Sequence, residues 1–526
     1  MKKVFFTILL LGSILSASAN DVYVSATGSD TNDGTSAVAA FATFGKALTA
    51  VEDGGTVHVS GFLYACDDEA NPLPADDFNK SGYPVTKSVT VQGANKTADG
   101  FIGFNEATYN ASRFFSVNNG GTLTLKNLTL KDGVGTNKGG AVHVNGGALI
   151  AENVIFEACT AEGDNQPSGG AIHVDRTTYV GFKSCLFKGN STAKGGAFYI
   201  QDTGNPNVEL RFEACSFVGN RSTQGGASCG GLFFRLMAEN LTINIINSTF
   251  SGNSNAGNGG TIYVYGAQAS NQFNIVNTTV VDNIGRSGGG SGAGINVELQ
   301  SDEARKPIIH IQNSIIEGNA SGDATTAEDL VYGYAPTVDK LQVSNSFIGK
   351  VYVAGAQEIP TDCYAETLYW DYMTRAFDRS EVLSGIDAFD SNYNVYPLMT
   401  GATALNYGKA SFLQEIGITT DQLGSTRTFA DGKCSAGATE GIGLPTGIRT
   451  LKLAEKINLY QSGDNLHVSA AGQDALTVEL ISISGQIVTK QSGAGEINLP
   501  VNHLKGVYVA KISVAGDVYT KKLIVK

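Results

Sequence analysis

The sequence contains little charge, little proline and almost no tryptophan. Charged residues make up 16% of the 526 residues, 11 residues are proline and one is tryptophan. Sparse charge disfavours coiled coils and helix bundles, which carry many charged surface residues. Collagen is excluded, because proline is scarce and glycine does not occupy every third position. Since 42% of the residues are hydrophobic, the chain can still bury a core, which disfavours wholesale disorder.

Positive charge is also in short supply. The 36 Lys and Arg residues are outnumbered by 49 Asp and Glu residues, and the formal net charge is -13. Phosphate backbones are bound mainly by Lys and Arg, so this balance argues against a nucleic-acid partner. It also provides no general attraction to anionic membranes or to acidic polysaccharides.

Long apolar runs are missing, except for a short one near the start of the chain. Two lysines precede the apolar stretch 4–15, and the small residues 17–19 follow it. This pattern predicts a signal peptide over residues 1–19, with the mature protein starting near Asn20. The stretch is short for a membrane span, and no later segment offers ~18 consecutive apolar residues. We therefore expect an exported protein with no transmembrane segment in the mature chain.

Glycine, by contrast, is abundant, with 65 residues, and many of these recur at regular intervals. A Gly-Gly pair followed by small or apolar residues begins at positions 139, 169, 195, 225 and 259, with a degenerate copy at 292. A second motif, Phe-x-Gly-Asn, begins at 187, 217 and 250, with weaker copies at 280 and 316. Segments such as 123–130 alternate apolar and polar residues, which is typical of strands. The chain therefore contains a repeat of about 30 residues built from short strands and turns.

This repeat predicts an all-β solenoid. A unit of ~30 residues without a helix cannot bury its own apolar face, whereas stacked units bury one continuous core. We expect a right-handed parallel β-helix with the glycine pairs at its corners, where positive φ or close backbone approach is needed. Asparagine tolerates left-handed backbone angles, and stacked amides can hydrogen-bond along a column. Such a column is predicted for Asn127, Asn153, Asn247, Asn277, Asn313 and Asn345.

The ends of the chain depart from the repeat. Apolar residues at helical spacing between 37 and 51 predict a short N-terminal helix that covers the first coil. We assign 20–445 to the β-helix with its end caps, reading 351–445 as irregular final coils and a cap. Residues 446–454 would form a linker. Strand-like segments within 455–526 predict a small antiparallel β-sandwich.

Three stretches in the solenoid region resemble known secreted proteins. Residues 23–35 (Tyr-Val-Ser-Ala-Thr-Gly-Ser-Asp-Thr-Asn-Asp-Gly-Thr) resemble the start of many secreted parallel β-helix proteins, including pectate-lyase-like ones. The Gly-Gly-Ala-Ile and Phe-x-Gly-Asn motifs resemble the repeats of polymorphic outer-membrane proteins. Residues 421–427, with Gly437 and Glu440, resemble the closing motif of "choice-of-anchor" β-helix proteins. These resemblances imply a fold and leave the activity open.

Residues 455–526 resemble the C-terminal sorting domain of the type IX secretion system. The resemblance lies in Ile-Ser-Gly-Gln at 483–486, Gly-Val-Tyr at 506–508 and the ending Lys-Lys-Leu-Ile-Val-Lys at 521–526. The Pro-Asn-Pro usual near the start of that domain is absent. The resemblance implies a Bacteroidetes-type bacterium, with type IX secretion machinery as a partner through residues 455–526. The protein would be exported and then secreted or attached to the cell surface.

The strand after each glycine pair contains a candidate ligand-binding stripe. Apolar residues alternate there with residues that must point away from the core. Aromatic and imidazole rings in such a column could stack on a sugar chain and hydrogen-bond to it. Alternatively, the rings stabilise the sheet by cross-strand packing. The stripe consists of His143, His173, Tyr199, Tyr263 and Asn296, with Cys229 at the equivalent place in a distorted copy.

Other polar residues offer further candidate sites. Asp30, Asn32 and Asp33 could bind calcium through their oxygen atoms, or could instead form a structural turn in the N-terminal cap. Asp421 and Arg427 could pair in the closing coil. Candidate catalytic carboxylates lie mostly at turns, where aspartate is a common structural residue. They are Asp132, Asp164, Asp175, Asp202, Asp282 and Glu298.

Cysteine and histidine form no recognisable metal or redox motif. The seven cysteines contain no Cys-x-x-Cys pair, and the six histidines contain no His-Glu-x-x-His. Cys185 and Cys215 occupy equivalent positions in neighbouring repeats. They could form a disulfide or serve as small core residues.

The sequence therefore favours a binding protein over an enzyme. The polygalacturonase-type Gly-His-Gly with Arg-x-Lys and the pectate-lyase Arg-x-Pro-x-x-Arg are both absent. The leading hypothesis is a secreted or cell-surface β-helix that binds glycans or surface proteins in the manner of an adhesin. The alternatives are a polysaccharide lyase or glycoside hydrolase on a pectate-lyase-like β-helix, or a purely structural surface spacer.

Overall fold

The computed structural model divides the chain into two compact units, residues 1–440 and 441–526. The predicted signal peptide, the predicted linker 446–454 and Asp164 lie outside the described residues. Those residues are 20–71, 79–163, 168–286, 292–298, 305–322, 329–333, 336–353, 361–370, 389–391, 393–398, 402–440, 457–470, 475–482, 486–514 and 517–525.

The first unit is a parallel β-solenoid of about 10 turns, as the repeat predicted. One coil illustrates the order of its strands: Val142–Asn145, Ala148–Glu152, Ile155–Glu157 and Thr160–Glu162. The next coil begins with Ile172–Arg176, which pairs in parallel with Val142–Asn145. Four parallel stacks of strands result. Val142–Asn145 belongs to sheet 3, Ala148–Glu152 to sheet 1, Ile155–Glu157 to sheet 2 and Thr160–Glu162 to sheet 4.

Sheet 1 is the most regular of the four. Its strands are Asp21–Ser25, Gly55–Ser60, Ser88–Gly93, Thr122–Lys126, Ala148–Glu152, Tyr179–Lys183, Glu209–Glu213, Thr242–Ile246, Gln272–Val276, Ile308–Gln312, Leu341–Ser344 and Tyr364–Ala365.

Sheet 2 follows the turn that ends each sheet 1 strand. Its strands are Phe62–Tyr64, Gly100–Ile102, Thr129–Lys131, Ile155–Glu157, Leu186–Lys188, Ser216–Val218, Thr249–Ser251, Thr279–Val281, Ile315–Glu317, Phe347–Val353 and Leu368–Trp370.

Sheets 3 and 4 complete the coils, and the long strand Phe347–Val353 pairs in both sheet 2 and sheet 3. Sheet 3 contains Tyr83–Val85, Phe115–Asn118, Val142–Asn145, Ile172–Arg176, Phe198–Ile200, Leu232–Arg235, Ile262–Gly266, Ile295–Val297 and Leu330–Tyr332. Sheet 4 contains Val134–Thr136, Thr160–Glu162, Ser191–Thr192, Arg221–Ser222, Ser254–Asn255, Ile284–Gly285 and Ala320–Ser321.

A left-handed residue makes the corner between sheets 1 and 2, as the sequence predicted. The six predicted asparagines have φ between 48° and 56°, and Ser184 and Ala214 take this position in two intervening coils. The amides bond along the column, since Asn153 Nδ2 donates to Asn127 Oδ1 at 2.7 Å. Asparagine is favoured here because its side chain tolerates this backbone region and bonds to its neighbour.

The glycine pairs occupy the corner that leads into sheet 3. In the pairs that begin at 225 and 259 the second glycine has positive φ, whereas in the pairs at 139, 169 and 195 it is the first, for example 68° at Gly169 and 63° at Gly195. In these last three pairs the second glycine lies against the next coil: a Cβ atom at Gly170 would be 2.2 Å from the carbonyl oxygen of Gly196. Left-handed geometry and close backbone approach therefore both require glycine at this corner.

The core of the solenoid is a continuous apolar column lined with aromatic rings. The phenylalanines of the Phe-x-Gly-Asn motif stack on one another, with ring centroids 4.6 Å apart for Phe187–Phe217 and for Phe217–Phe250. At the N-terminal end, the predicted capping helix is present at Phe44–Ala50 and is preceded by the 3₁₀ turn Ala37–Ala39. Phe44 packs against the rings of Tyr83 and Phe101 in the first coils.

Residues 389–391, 393–398 and 402–440, which the sequence analysis included in the final coils and cap, lie beside the coils. They run back along the corner between sheets 1 and 2, with the helix Ala410–Glu415 and the paired strands Gly408–Lys409 and Lys433–Cys434. Leu413 packs on outward-facing Ile246 and Val276. We call residues 389–440 the flank segment. It docks there because the coils expose apolar side chains on their outer face at this corner, and these must be covered.

One further expectation is corrected in this unit, and one pair of alternatives is decided. Arg427 pairs with Glu440 at 2.7 Å and not with Asp421, which instead accepts hydrogen bonds from the backbone N–H groups of Leu423 and Ser425. Cys185 and Cys215 are buried in the core and form no disulfide, so of the two alternatives considered for them both serve as core residues.

The described part of the second unit consists of two antiparallel sheets whose buried residues form one hydrophobic cluster. One sheet contains Ile457–Ser462, Asn465–Ala470 and Glu496–Pro500, and the other contains Ala475–Ser482, Ile487–Ala494, Gly506–Val514 and Asp517–Val525. The remaining short elements of the first unit are Ala65–Asp67, Asn79–Lys80, Phe104–Asn105, Asn110–Ser112, Thr361–Cys363 and Ala430–Gly432.

Candidate functional site

The register of sheet 3 places the five residues of the predicted stripe in one column. His143 pairs with His173, and His173 pairs with Tyr199. The column then continues through Phe233 to Tyr263 and Asn296. The distorted copy therefore contributes Phe233, and our assignment of Cys229 to this column is wrong.

The column is outside the main core, but it is not the open face that we expected. Tyr263 is fully buried, and His173 and Tyr199 are 3% and 7% exposed. The rings cover one another, with centroid distances of 5.1 Å for His173–Tyr199 and 4.7 Å for Tyr199–Phe233. The glycine turns also lie against the column, since a Cβ atom at Gly259 would be 2.3 Å from the ring of Tyr263. Cross-strand packing explains these rings, and glycan binding through the column stays a prediction.

A polar cluster forms where the column reaches its two histidines. Asp175 lies between the imidazoles: its Oδ2 is 2.9 Å from His143 Nε2, and its Oδ1 is 3.0 Å from His173 Nε2. Lys138 pairs with the same carboxylate. Val144 pairs with Val174 but Asn145 pairs with Arg176, so Asp175 is the extra residue of a β-bulge. The bulge directs the carboxylate toward the histidines.

The protonation of this cluster follows from burial and hydrogen bonding. Burial lowers the pKa of His173 to about 4, partly offset by the bond to Asp175. Burial also lowers the pKa of His143. For Asp175, the hydrogen bonds from His143, His173 and Lys138 outweigh burial and keep the pKa well below its usual value. At neutral pH the cluster therefore contains two neutral imidazoles and a carboxylate.

Ser168 completes a chain of hydrogen bonds that superficially resembles a hydrolase triad. Its Oγ is 2.9 Å from His173 Nδ1, opposite the Nε2 that faces Asp175. Ser168 is only 6% exposed, and a histidine with a pKa of about 4 is a weak general base at neutral pH. The residues are better placed to bind a metal ion, because one ligand atom each from His143, His173 and Asp175 lies within 4.8 Å of the others.

A second candidate site is a groove of about 370 Å³ on the outer face of sheet 1. It lies where the outward column of the sheet passes from Ile150 to Gly181 and then to Arg211. A Cβ atom at Gly181 would be 2.6 Å from Oη and 2.7 Å from Cε1 of Tyr179, so the Tyr179 ring lies over this glycine. We call this feature the sheet 1 groove. Its lining residues are Ile150, Ala151, Glu152, Tyr179, Gly181, Phe182, Lys183, Arg211 and Glu213.

Hydrogen bonds fix the polar groups beside the Tyr179 ring. The Arg211 guanidinium donates to Glu213 at 2.7 and 2.9 Å, and Lys183 lies 3.1 Å from the same carboxylate. Burial raises the pKa of Glu213, but the bonds from Arg211 and Lys183 outweigh it and hold the pKa below its usual value. Burial, with Glu209 nearby, raises the pKa of Tyr179. The groove therefore presents a neutral phenol beside an ionised carboxylate and two cations.

The polar face continues along sheet 1 beyond the groove. Asn244 Nδ2 donates to Glu209 at 2.8 Å, and Asn274 Nδ2 donates to Asn244 at 2.9 Å. His310 Nδ1 lies 3.2 Å from Asn274 Oδ1. We did not identify this face from the sequence, although Gly181 inside a strand is a signal for close approach of another group.

The predicted calcium residues are engaged in turns of the N-terminal cap. Asp30 accepts hydrogen bonds from the backbone N–H groups of Ala42 and Thr43 and from the Thr43 hydroxyl. Asp33 accepts from the N–H and hydroxyl of Thr35. Asn32 Nδ2 donates to a carbonyl oxygen, 2.9 Å away at Ala40. These contacts match the structural-turn alternative, and calcium binding here stays a prediction.

Other candidate carboxylates also have structural partners. Asp202 accepts from the backbone N–H groups of Met237 and Ala238. Asp282 accepts from the Tyr396 hydroxyl at 2.6 Å, and Glu298 accepts from the Tyr263 hydroxyl. Of the five candidates that the structure describes, Asp175 is the one that contacts both His143 and His173.

Comparison with known proteins identifies the C-terminal region. A family model described as the secretion system C-terminal sorting domain matches residues 462–526. The match supports the predicted type IX sorting domain, and it shows that the protein is exported by type IX secretion to the cell surface or beyond. No curated protein matches the chain. In the part of the chain that the structure describes, helices are too short or too polar to cross a membrane.

Proposed function

We propose that this secreted β-helix is an adhesin-like binding protein that recognises a glycan in the sheet 1 groove. Its type IX sorting domain delivers it to the cell surface or beyond, where glycans are available as ligands. The proposal concerns the groove, because the aromatic column of sheet 3 is largely covered.

The arrangement of Tyr179 over Gly181 is the observation that supports this proposal most directly. With no side chain at Gly181, the phenol ring lies down on the sheet and stays partly accessible. An aromatic ring of this kind offers an apolar face for the C–H groups of a sugar and a hydroxyl for hydrogen bonding. Ile150, directly across the register from Gly181, extends the apolar floor.

The charged groups beside the ring suit the hydroxyl groups of a sugar. Arg211 supplies hydrogen-bond donors, and Glu213 and Glu152 supply acceptors. A sugar hydroxyl can therefore accept a bond through its oxygen and donate one through its O–H. Because Arg211 is already held by Glu213, little ordering is needed on binding. The repeat of the polar face along several coils suits an extended chain.

The same charges make the groove poorly suited to glycoside hydrolysis. A general acid needs a carboxyl group with a raised pKa, whereas Arg211 and Lys183 lower that of Glu213. This supports binding over catalysis.

A glycan array probed with the mature full-length protein tests the proposal, with Tyr179→Ala and Arg211→Ala as groove variants. We expect saturable binding by the wild type and a loss of about tenfold or more in affinity for each variant. Tyr64→Ala serves as a matched control, because Tyr64 is an exposed tyrosine on sheet 2. Absence of glycan binding by the wild type, or equal binding by Tyr179→Ala, would refute the proposal.

A further inference from the structure

We propose that His143, His173 and Asp175 form a binding site for a divalent transition-metal ion of the zinc type. The site lies in sheet 3 and is separate from the sheet 1 groove, so it goes beyond the proposed function. We call these three residues the His–His–Asp site.

The backbone brings the three ligands together without any change of fold. His143 and His173 are direct partners in adjacent parallel strands, and their side chains leave the same face of sheet 3. Asp175 follows two residues after His173 and is moved toward both rings by the β-bulge. Ligands from neighbouring coils are therefore fixed by the solenoid itself, which limits the entropy lost when an ion binds.

The three ligand atoms lie near the spacing of a tetrahedral site, which side-chain rotation can reach. Ligand atoms at 2.0–2.1 Å from zinc lie about 3.4 Å from one another in a tetrahedron. Here the two carboxylate–imidazole distances are 2.9 and 3.0 Å, and the three ligand atoms lie within 4.8 Å of one another. The two short distances involve different oxygens of Asp175, so one oxygen serves as the ligand. Side-chain rotation then has to bring the widest separation, at most 4.8 Å, to about 3.4 Å. Three protein ligands leave the fourth position for water.

Ser168 supplies the outer contact that a histidine ligand requires. His173 Nδ1 lies 3.3 Å from the Ser168 carbonyl oxygen and 2.9 Å from its Oγ. When Nδ1–H donates to that carbonyl, Nε2 is left with a free lone pair directed at the site. Metal-bound histidines usually have such a second partner, which fixes the tautomer and the ring orientation.

The ligand set selects among metal ions. Imidazole nitrogen suits zinc and its neighbours in the first transition row, whereas calcium and magnesium prefer oxygen ligands throughout. Two imidazoles with one carboxylate also occur together in zinc sites. An ion bound between neighbouring coils would stabilise the native solenoid.

Lys138 is the group that competes with the ion. Its ammonium pairs with Asp175 and is 41% exposed, so it can turn into solvent when a cation takes its place. Removing this charge while keeping a flexible polar side chain should tighten metal binding. We therefore expect Lys138→Gln to bind zinc more tightly than the wild type. A substitution that only damaged the site would weaken binding instead.

Titration calorimetry with zinc chloride tests the site on the untagged, EDTA-treated mature protein. We expect one zinc ion per chain and a rise in melting temperature on zinc addition. Affinity should fall about 100-fold or more in His143→Ala and in Asp175→Asn, and rise about tenfold in Lys138→Gln. His143 is chosen because His173 is 3% exposed and its removal can disturb folding.

His310→Ala is the matched control, because His310 lies on the outer face of sheet 1 and should leave zinc binding unchanged. Circular dichroism of each variant without zinc confirms that it is folded. The proposal is overturned if the wild type has no saturable zinc site. It is equally overturned if folded His143→Ala and Asp175→Asn both bind zinc as the wild type does.

Discussion

Individual asparagine side chains join the coils of the solenoid inside its core. The final residue of each Phe-x-Gly-Asn motif is buried. From Asn220 onward, its side-chain oxygen accepts from the backbone N–H and the Nδ2 of the asparagine in the preceding coil. For Asn220 and Asn253 these two bonds are 3.0 and 2.9 Å. At these turns the backbone N–H groups of one coil do not reach the carbonyl groups of the next, and the asparagine side chains accept their hydrogen bonds instead. The ladder runs through Asn190, Asn220, Asn253, Asn283 and Asn319.

Asn253→Ala should lower the free energy of unfolding by about 2–4 kcal/mol, because several buried polar groups lose their partners together. The lost acceptor serves Asn220, and the lost donor bonds to the carbonyl of Phe217 and to Asn283. Urea denaturation of the variant and the wild type measures the change. Asn274→Ala is the control, since its amide makes a similar bond on the half-exposed face of sheet 1. Equal losses in both variants would contradict the prediction.

The ladder ends at a carboxylate, which introduces a pH dependence. Asp329 is fully buried and accepts from the backbone N–H and Nδ2 of Asn319 and from the N–H of Lys350. Burial raises the pKa of Asp329 to about 7, from 3.8. Between these two values the folded chain binds more protons than the unfolded chain. The stabilising contribution is therefore complete below pH 3.8 and is lost as the pH rises through about 7.

Asp329→Asn removes this titration and isolates its effect. Going from pH 5 to pH 8, the wild type should lose about 3 kcal/mol of stability relative to the variant. Thermal melts of both proteins at the two pH values measure this difference, in which the titration of all other groups cancels. A difference that stays constant between pH 5 and pH 8 would contradict the assigned pKa.

At the scale of single residues, the sequence predicted backbone conformations better than it predicted the hydrogen-bond partners of side chains. The left-handed asparagines and the glycine corners could be predicted, because their conformations are restricted by local sterics. The motif asparagines were recognised as a repeat, yet their burial and bonding depend on how the coils stack. Asp175 was one of six candidate carboxylates, and only the bulge in sheet 3 shows that it meets both histidines.

Among the secondary-structure elements, the flank segment shows how one part of the chain depends on another. Its buried Arg427 pairs with Glu440 at 2.7 Å and donates to Asn247, a corner residue of the solenoid, also at 2.7 Å. Tyr396, also in this segment, bonds to Ser251 in sheet 2. The segment is therefore attached through a few buried polar contacts as well as through its apolar residues.

Arg427→Ala should release the flank segment while the coils stay folded. The variant leaves the buried Glu440 without its cation, which costs about 3–5 kcal/mol. Hydrogen–deuterium exchange should rise in residues 402–440 and stay low in the coils between 115 and 200.

Lys126→Ala is the control for this experiment, because its pair with Glu152 is solvent-exposed and 3.7 Å long, and such pairs contribute little. Unchanged exchange in residues 402–440 of Arg427→Ala would contradict the role given to this ion pair.

Strands and the capping helix could be predicted from periodicity, whereas the position of the flank segment could not. Strand alternation fixes which side chains face the core. The docking surface is encoded by consecutive apolar residues such as Ile245 and Ile246, where both faces of the strand are buried. Such pairs indicate that the outer face is covered, but they do not say which part of the chain covers it.

At the scale of the whole molecule, the two units have separate hydrophobic cores. The solenoid core and the cluster of the C-terminal sheets share no residues. Each core is built from its own strands, so the C-terminal sheets are not needed to complete the solenoid. The fold of each unit could be predicted from repeats and strand patterns. The sheet 1 groove could not, because it depends on one glycine that lets a tyrosine lie flat.

Deletion of residues 462–526 should therefore block surface delivery without unfolding the solenoid. The truncated protein lacks the region that matches the sorting domain, so it should accumulate inside the outer membrane. Cell fractionation with immunoblotting locates it, and circular dichroism of the purified protein should retain the β signal and a cooperative melt. Full-length Tyr179→Ala is the control, since a groove substitution leaves the sorting domain intact and should be exported normally. Truncated protein on the cell surface or in the medium would show that export does not depend on this domain. Loss of the β signal would show instead that the solenoid needs the C-terminal unit to fold.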